Sequence, residues 1–458
     1  MQSAISKITH AHMGKFDVPG AAIAIVQNGQ IVHETGFGLA NIETNLPAGN
    51  ATVWPICSLT KSMTCTAVMQ LVEQGLIYID QPVQNYLPAW RVSDPDATAK
   101  ITVKMLMHQG SGMGRMGFQN RVWSETPNPF PTRESVIQAI AGADLQSDPG
   151  HFWAYSNEAF VTLGYMVETI SGIKLEDYFL DRIFDPLGMT DTVVRFAEWR
   201  AAPDSVVNYI RYDPSSKDNS DKTENYEAGS LPDDYQAYLS TGGICSTAHD
   251  LALYQSAAMQ HDDHALLSKK SLEQMQSIAF EYGDTNHGYG FGWAVFDSGD
   301  THVVGHGGGL AGISTYSMFV PAEQIGVVVL LNRGDAGAFE LAEQLLGEVR
   351  GTPLWRDSVD DSLPFTTNYT PPGNEPASAF DGRYIHDDMT SEIEAIDGGI
   401  KFKLSFSNGE KHEGTATRIG PESFLVRKTG QIIQFPNRTT AERGRYYLEN
   451  GIVWTRTD

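Results

Sequence analysis

Strand-like segments bracket the first 350 residues, and they constrain the fold more than any other feature of this chain. Ala21 to Val26 is an apolar run. Asn28-Gly29 is a pair that closes tight hairpins, and Ile31 to Phe37 reads as the return strand. Far along the chain, Ser314 to Val320 and Ile325 to Leu331 read as two strands joined by a turn at Pro321, followed by a helix over Ala338 to Val349. Helical patterns lie between these ends: Met63 to Val72, stopped by Gly75, then Thr132 to Ala141, Ser156 to Ser171 and Ala248 to Met259. Asp80 to Pro88 and Ile101 to His108 read as short connections around another helix. Gly110 to Gly117 reads as a glycine-rich loop, and Pro203 to Asp234 as a long acidic excursion or lid. This order predicts an α/β (α+β) fold, with one antiparallel sheet made from both ends of the region, flanked by helices and carrying an inserted helical lobe.

The pattern changes after residue 352. Residues 353–376 hold five prolines and little periodicity, as an interdomain linker does. Beyond it, Ile400, Phe402, Leu404 and Phe406 alternate with Lys401, Lys403, Ser405 and Ser407, the period of a half-buried strand. Turn pairs at Asp397-Gly398, Asn408-Gly409 and Asn450-Gly451 punctuate the region. The expectation is therefore a first unit over 1–352, a linker over 353–376, and a small antiparallel β-barrel over 377–458.

Composition narrows the class of function. The 458 residues carry a net charge of −24, which repels nucleic-acid phosphates and anionic membranes, so neither is an expected partner. No apolar run reaches the 18 or so residues of a membrane-spanning helix. Met1 to Phe16 reads as a short amphipathic helix and not as a signal peptide, so the chain is expected to be cytoplasmic or to begin after a removed leader. Cys57, Cys65 and Cys245 make neither a disulfide framework nor a zinc spacing. His261 and His264 flank two aspartates but look like an acidic loop, not metal ligands.

Within this frame Ser58-Leu59-Thr60-Lys61 stands out. The spacing puts both side chains on one helical face, at the helix start, where unpaired N–H groups and the positive end of the dipole gather. A serine becomes a nucleophile when a base takes its proton, and a lysine one turn away can be that base. Ser171-Gly172-Ile173-Lys174 repeats the spacing, but after a periodic run and with a glycine stop, so it reads as a surface helix end. Tyr155-Ser156-Asn157, at a helix mouth after Pro149-Gly150, offers a phenol and an amide. By itself it also fits a core tyrosine beside a helix cap. His306-Gly307-Gly308-Gly309 would let a substrate lie against backbone, and it also fits a simple glycine-rich turn.

In this order the three motifs resemble the serine β-lactamase and penicillin-binding-protein superfamily, in particular its class C-like branch of D-aminopeptidases, D-amino acid amidases and esterases. Gly36-Phe37-Gly38-Leu39-Ala40, Ser240-Thr241-Gly242-Gly243 and Gly288-Tyr289-Gly290-Phe291-Gly292-Trp293 are similar to phrases of that family. The resemblance implies acyl transfer through Ser58, with Lys61 and Tyr155 moving protons. Asn157 would hold the substrate amide and the lysine. The N–H groups of Ser58 and Gly309 would hold the oxyanion, and Gly307 and Gly308 would line the substrate. His306 takes the place of a lysine found in many members. A neutral histidine supplies no fixed charge for a carboxylate, which favours amides, esters or peptides read from the amino end. Lys428-Thr429-Gly430 matches the family's third motif literally, but it falls at an expected hairpin tip between Phe424-Leu425-Val426 and Ile432-Ile433. The C-terminal barrel resembles the lipocalin-like domains appended to some of these hydrolases. No cofactor or metal is implied. The expected ligand is a small molecule or peptide, and a homo-oligomer is left open. Hydrolysis of D-amino-acid amides or peptides, ester hydrolysis, peptide macrocyclisation and acylated sensing all remain compatible with these residues.

Overall fold

The computed structural model describes residues 2–354, apart from 115, 125–127, 212–225, 230, 232–234, 260–265, 282–286, 298–300 and 335, together with eight strands beyond residue 381. A nine-stranded antiparallel sheet organises the first region. Its strands are β1 (Gly20–Gln27), β2 (Gln30–Asn41), β3 (Leu46–Pro47), β4 (Phe280–Glu281), β5 (His287–Tyr289), β6 (Ala294–Asp297), β7 (His302–Leu310), β8 (Ile313–Val320) and β9 (Ile325–Leu331). They lie side by side in the order β3-β2-β1-β9-β8-β7-β6-β5-β4. The two chain ends meet where β1 pairs with β9, from Ala21 opposite Leu331 to Gln27 opposite Ile325. The expected turn joins β1 to β2, with φ of 52° at Asn28 and 69° at Gly29, the left-handed geometry that matches strand twist.

Both faces of this sheet are covered. All seven residues of β9 are buried, which is why it reads as a continuous apolar run and not as an alternation. Ile23, Ile25, Val327 and Val329 pack with the helices α1 (Gln2–Phe16) and α5 (Ala338–Arg350). Ala22, Ala24, Val328 and Leu330 face the larger core, which holds α2 (Thr60–Glu73), α3 (Asn157–Ser171) and α4 (Ala248–Met259). The helix α3 begins and ends where local chemistry says it should. Ser156 caps α3 by accepting the Ala159 N–H at 3.1 Å, and Gly172 at φ 71° ends it.

Two expectations for this region need correction. Ile101 to His108 is not a bare connection: Thr102 caps a short helix, Val103–Met107, by accepting the Met105 N–H. Residues 280–297 supply three further sheet strands that the sequence pattern does not reveal. They are two to four residues long, too short to show a period.

Beyond residue 381 each strand pairs antiparallel with the next, from Gly382–His386 to Ile452–Arg456, and the first also pairs with the last. Ile400 and Phe402 are buried while Lys401 and Lys403 are exposed, as their alternation predicts. Residues 355–376 of the expected linker, residues 377–381, the three turn pairs, Phe406 and Ser407, His261 and His264, and Lys428-Thr429-Gly430 lie outside the described residues. The strands Ser423–Val426 and Gln431–Gln434 on either side of Lys428 do pair as a hairpin. Among the described residues no helix is long and apolar enough to cross a membrane.

Candidate active site

Ser58 sits in a single tight turn, Cys57–Leu59, that runs directly into α2. Cys57 before it has φ 55°, a left-handed conformation that costs a non-glycine residue energy and is often found at functional sites. Burial raises the Cys57 thiol far above its usual range, so it packs as a small apolar group.

Lys61 is completely buried. Its Nζ donates to Ser58 Oγ at 3.2 Å and to the Thr241 carbonyl at 2.8 Å, and lies 4.8 Å from the centre of the Tyr155 ring. An ammonium removed from water needs such partners. Thr241 belongs to the turn Leu239–Gly242, which is tied to α2 a second time by Thr64 Oγ1 donating to the Ser240 carbonyl at 2.7 Å.

Tyr155 and Asn157 stand at the start of α3, and both line the same cavity as Ser58. The Asn157 Nδ2 donates to Gln119 Oε1, and Gln119 Nε2 donates to Tyr235 Oη. Asn157 Oδ1 is buried and, among the described residues, has no hydrogen-bond partner. Glu158 beside it is buried, with its carboxyl pushed up by desolvation, and the backbone N–H groups of Met116 and Gln119 hold it.

The glycine motif is a strand segment, not a turn. His306 to Leu310 of β7 pair with β8, whereas β6 stops at the Ala294–Gly305 pair. Gly308 is wedged against the Ser58 turn: a β-carbon there would lie 2.9 Å from Cys57 Cβ and closer still to Thr315 Oγ1 and the Ile56 carbonyl. Thr315 Oγ1 itself donates to that Ile56 carbonyl at 3.1 Å. Gly309, by contrast, is exposed at the cavity with open space around it.

The His306 ring lies beneath this surface, 5% exposed, and is not among the described residues lining the cavity. Its Nδ1 meets the Gly307 carbonyl at 2.6 Å and therefore donates. Its Nε2 meets Tyr289 Oη at 2.8 Å and therefore accepts. Burial first, and the Lys61 charge second, lower its pKa to about 3, so the imidazole is neutral at ordinary pH.

The cavity has a volume of about 760 Å³, within the range of small-molecule sites. Besides the expected Ser58, Tyr155, Asn157, Gly308 and Gly309, its wall includes Gln119, Tyr235, Thr241, Ile210 and Arg333. Thr241 and the buried Tyr289 fall in phrases that resembled the family. Gln119, Tyr235, Ile210 and Arg333 carried no sequence signal, because the fold brings them in from four separate segments. Of the acidic excursion, residues 212–225 and 232–234 lie outside the described residues. Its base forms a hairpin, Tyr209–Arg211 with Tyr226–Ala228, whose Tyr209 and Ile210 reach the cavity wall.

A sheet-and-helix fold with a Ser-x-x-Lys pair, its lysine buried and its serine opening on a cavity, defines a class of serine hydrolases. Residues 5–350 match the Beta-lactamase family model, and the chain belongs to that family. Its sequence is 26% identical over 349 residues to Protein flp of Staphylococcus aureus strain MW2, covering 75% of this chain. This chain spans 66% of the length of that relative. The fold is similar to that of the octameric penicillin-binding protein homologue from Pyrococcus abyssi, with TM-score 0.67, 23% identity, and 99% and 98% of the two chains covered. It is also similar to that of D-amino acid amidase from Ochrobactrum anthropi SV3 complexed with D-phenylalanine, with TM-score 0.65, 22% identity, and 77% and 99% covered.

Proposed function

We propose that the protein is a serine acyl-transfer hydrolase working through Ser58, and that its substrates are amides or peptides containing D-amino acids. The observation that carries this reading is the Lys61 Nζ, fully buried yet 3.2 Å from the oxygen of a serine that lines an open cavity. In the free-amine state Lys61 takes the Ser58 proton as Oγ bonds to the substrate carbonyl carbon. The oxyanion that forms is held by the N–H groups of Ser58 and Gly309. Tyr155, against Lys61, passes the proton to the leaving amine as the C–N bond breaks. Water then attacks the ester, gives one proton to the same base, and returns Ser58 Oγ to its hydroxyl as the acid departs. Asn157 Oδ1, which has no hydrogen-bond partner among the described residues, is suited to accept a substrate N–H. His306 acts through others: it fixes the Gly307 carbonyl and Tyr289, so it is a positioning residue.

The preference for D-amino-acid substrates draws on the similarity to the amidase and its bound D-phenylalanine. The C-terminal strands are proposed to form the expected lipocalin-like barrel as a separate domain; the pairing of the first strand with the last supports this. Light scattering tests for a homo-oligomer, which the octameric neighbour makes worth measuring.

Peptide mapping after treatment with a fluorophosphonate should place the adduct on Ser58. A matched panel of D- and L-aminoacyl amides and p-nitrophenyl esters should show faster turnover of D-amides. An adduct elsewhere would refute the mechanism, and faster esters with no D-preference would leave an esterase.

A further inference from the structure

We infer that Gln109 is a positioning residue for Tyr155, holding the main chain on both sides of it, once with its own carbonyl and once with its side-chain amide. This rests on the acyl-transfer reading, in which Tyr155 passes the proton to the leaving group, and it adds to that step a residue that is not among the described residues lining the cavity. Ala154 donates its N–H to the Gln109 carbonyl at 2.8 Å, and Ser156 donates its N–H to Gln109 Oε1, also at 2.8 Å. Ala154, Ser156 and Gln109 are all fully buried, so solvent is not there to replace either bond. Ser156 also caps α3, so the clamp is continuous with the start of that helix. Between the two bonds stands Tyr155, its ring against Lys61. Proton transfer depends on such placement to a fraction of an ångström.

Two costs at Gln109 argue that its side chain is kept for this task and is not simple loop packing. The first is in the backbone. Gln109 ends the short helix Val103–Met107: its N–H donates to the Leu106 carbonyl at 3.3 Å, and the Gly110 N–H donates to the Met105 carbonyl at 2.9 Å. This pair of bonds calls for a left-handed residue at 109, where φ is 64°, and glycine is the usual choice there. The loop that follows does use glycine at its left-handed positions, with φ of 81° at Gly112, 58° at Gly114 and 75° at Gly117. The second cost is in the amide. With Oε1 accepting from Ser156, Nε2 is buried and has no hydrogen-bond partner among the described residues. A glycine at 109 would avoid both costs. It would also strand the buried Ser156 N–H and release the segment that carries Tyr155. Local strain of this kind collects where function needs a fixed geometry.

The test uses the full chain and two substrates that share one acyl group, D-phenylalanine amide and D-phenylalanine p-nitrophenyl ester. The amide's leaving nitrogen must take a proton as the C–N bond breaks, whereas p-nitrophenolate departs without one. Gln109→Asn tolerates the left-handed backbone, but its amide is one methylene too short to reach Ser156. It should lower kcat/KM by about ten- to a hundredfold on the amide and by less than about threefold on the ester. Gln109→Gly, with no backbone strain, should shift the amide-to-ester ratio in the same direction. The ratio is taken within one enzyme preparation, so loss of folded protein does not alter it. Tyr155→Phe supplies the control: in that background Gln109→Asn should lower the ratio no further, because the hydroxyl it positions is gone. No loss on the amide, an equal loss on both substrates, or a further fall of the ratio in the double variant would overturn the role of Gln109 while Ser58 labelling and wild-type amide turnover persist. Loss of Ser58 labelling in the wild type would overturn the reading beneath it.

Discussion

At Ser58 the chain enters a helix; at Ser171 it leaves one. The two Ser-x-x-Lys stretches share their spacing, yet their surroundings differ in every respect that chemistry needs. Lys61 is buried in the first turn of α2, among Ser58, Thr241 and Tyr155. Lys174 is exposed beyond the end of α3. Ser58 faces the cavity, whereas Ser171 Oγ is engaged locally, donating to the Val167 carbonyl at 2.6 Å and accepting the Ile173 N–H at 3.1 Å. A three-residue spacing fixes only that two side chains share a helical face. Which end of the helix they occupy, and what is packed over them, decides whether the pair can react.

The largest difference should come from the serines. Ser58→Ala should lower amide turnover by roughly a thousandfold or more and abolish fluorophosphonate labelling. Ser171→Ala should leave both unchanged and shift stability by no more than about 0.5 kcal/mol. Equal sensitivity at the two sites, by kinetics and mass spectrometry, would erase the comparison.

The lysines sharpen it. Lys61→Met removes a buried cation along with the base. Turnover should fall by about 10² to 10⁴-fold. The melting temperature should change by only a few degrees, because the hydrogen bond lost at the Thr241 carbonyl is offset by no longer burying an amine. A merely structural lysine would lose activity and stability together. Lys174→Met should do neither.

Packing behind the nucleophile comes next. Gly308→Ala puts a methyl group into Thr315 Oγ1, the Ile56 carbonyl and Cys57 Cβ, so β7 and the Ser58 turn must separate. Overpacking of this kind costs about 1–3 kcal/mol. Chemical denaturation should show that loss together with reduced turnover, while Gly172, which has nothing near its missing β-carbon, marks a helix end that touches no reacting group.

The same contrast explains what could be read from sequence. Strand and helix existence was legible where apolar periods were long, as in β1, β9 and α3, and the meeting of the chain ends followed from their order. Ser58, Lys61, Tyr155, Asn157 and the glycines were legible because each lies in a short motif at a helix start or on a strand. The strands β4 to β6 escaped because they are too short to carry a period. Gln119, Tyr235 and Arg333 escaped for another reason. Each enters the cavity through tertiary packing, from a helix, a loop and a turn whose local sequences carry no mark of it.

The smallest expected effect is one of pH. His306 lies under the site with a folded-state pKa of about 3, against 6.5 in the unfolded chain. His108 and His287 are held at about 4, also by burial. For each, the unfolded chain binds more protons below pH 6.5, so the stability it contributes is complete above 6.5 and is lost as pH falls toward the folded value. Glu158 and Asp250, raised by burial, act in the opposite sense, since their folded forms hold protons at higher pH than the unfolded chain does. A wild-type pH curve therefore mixes both signs, and a single substitution separates them. His306→Asn removes one histidine from the balance. Between pH 7.5 and pH 5 it should lose less stability than the wild type, by up to about 2 kcal/mol, as read from urea denaturation at each pH. Lys174→Met, at an exposed position, should follow the wild-type curve. If H306N falls as steeply as the wild type, the imidazole is not held neutral by its burial, and the account of His306 as an uncharged positioning residue fails with it.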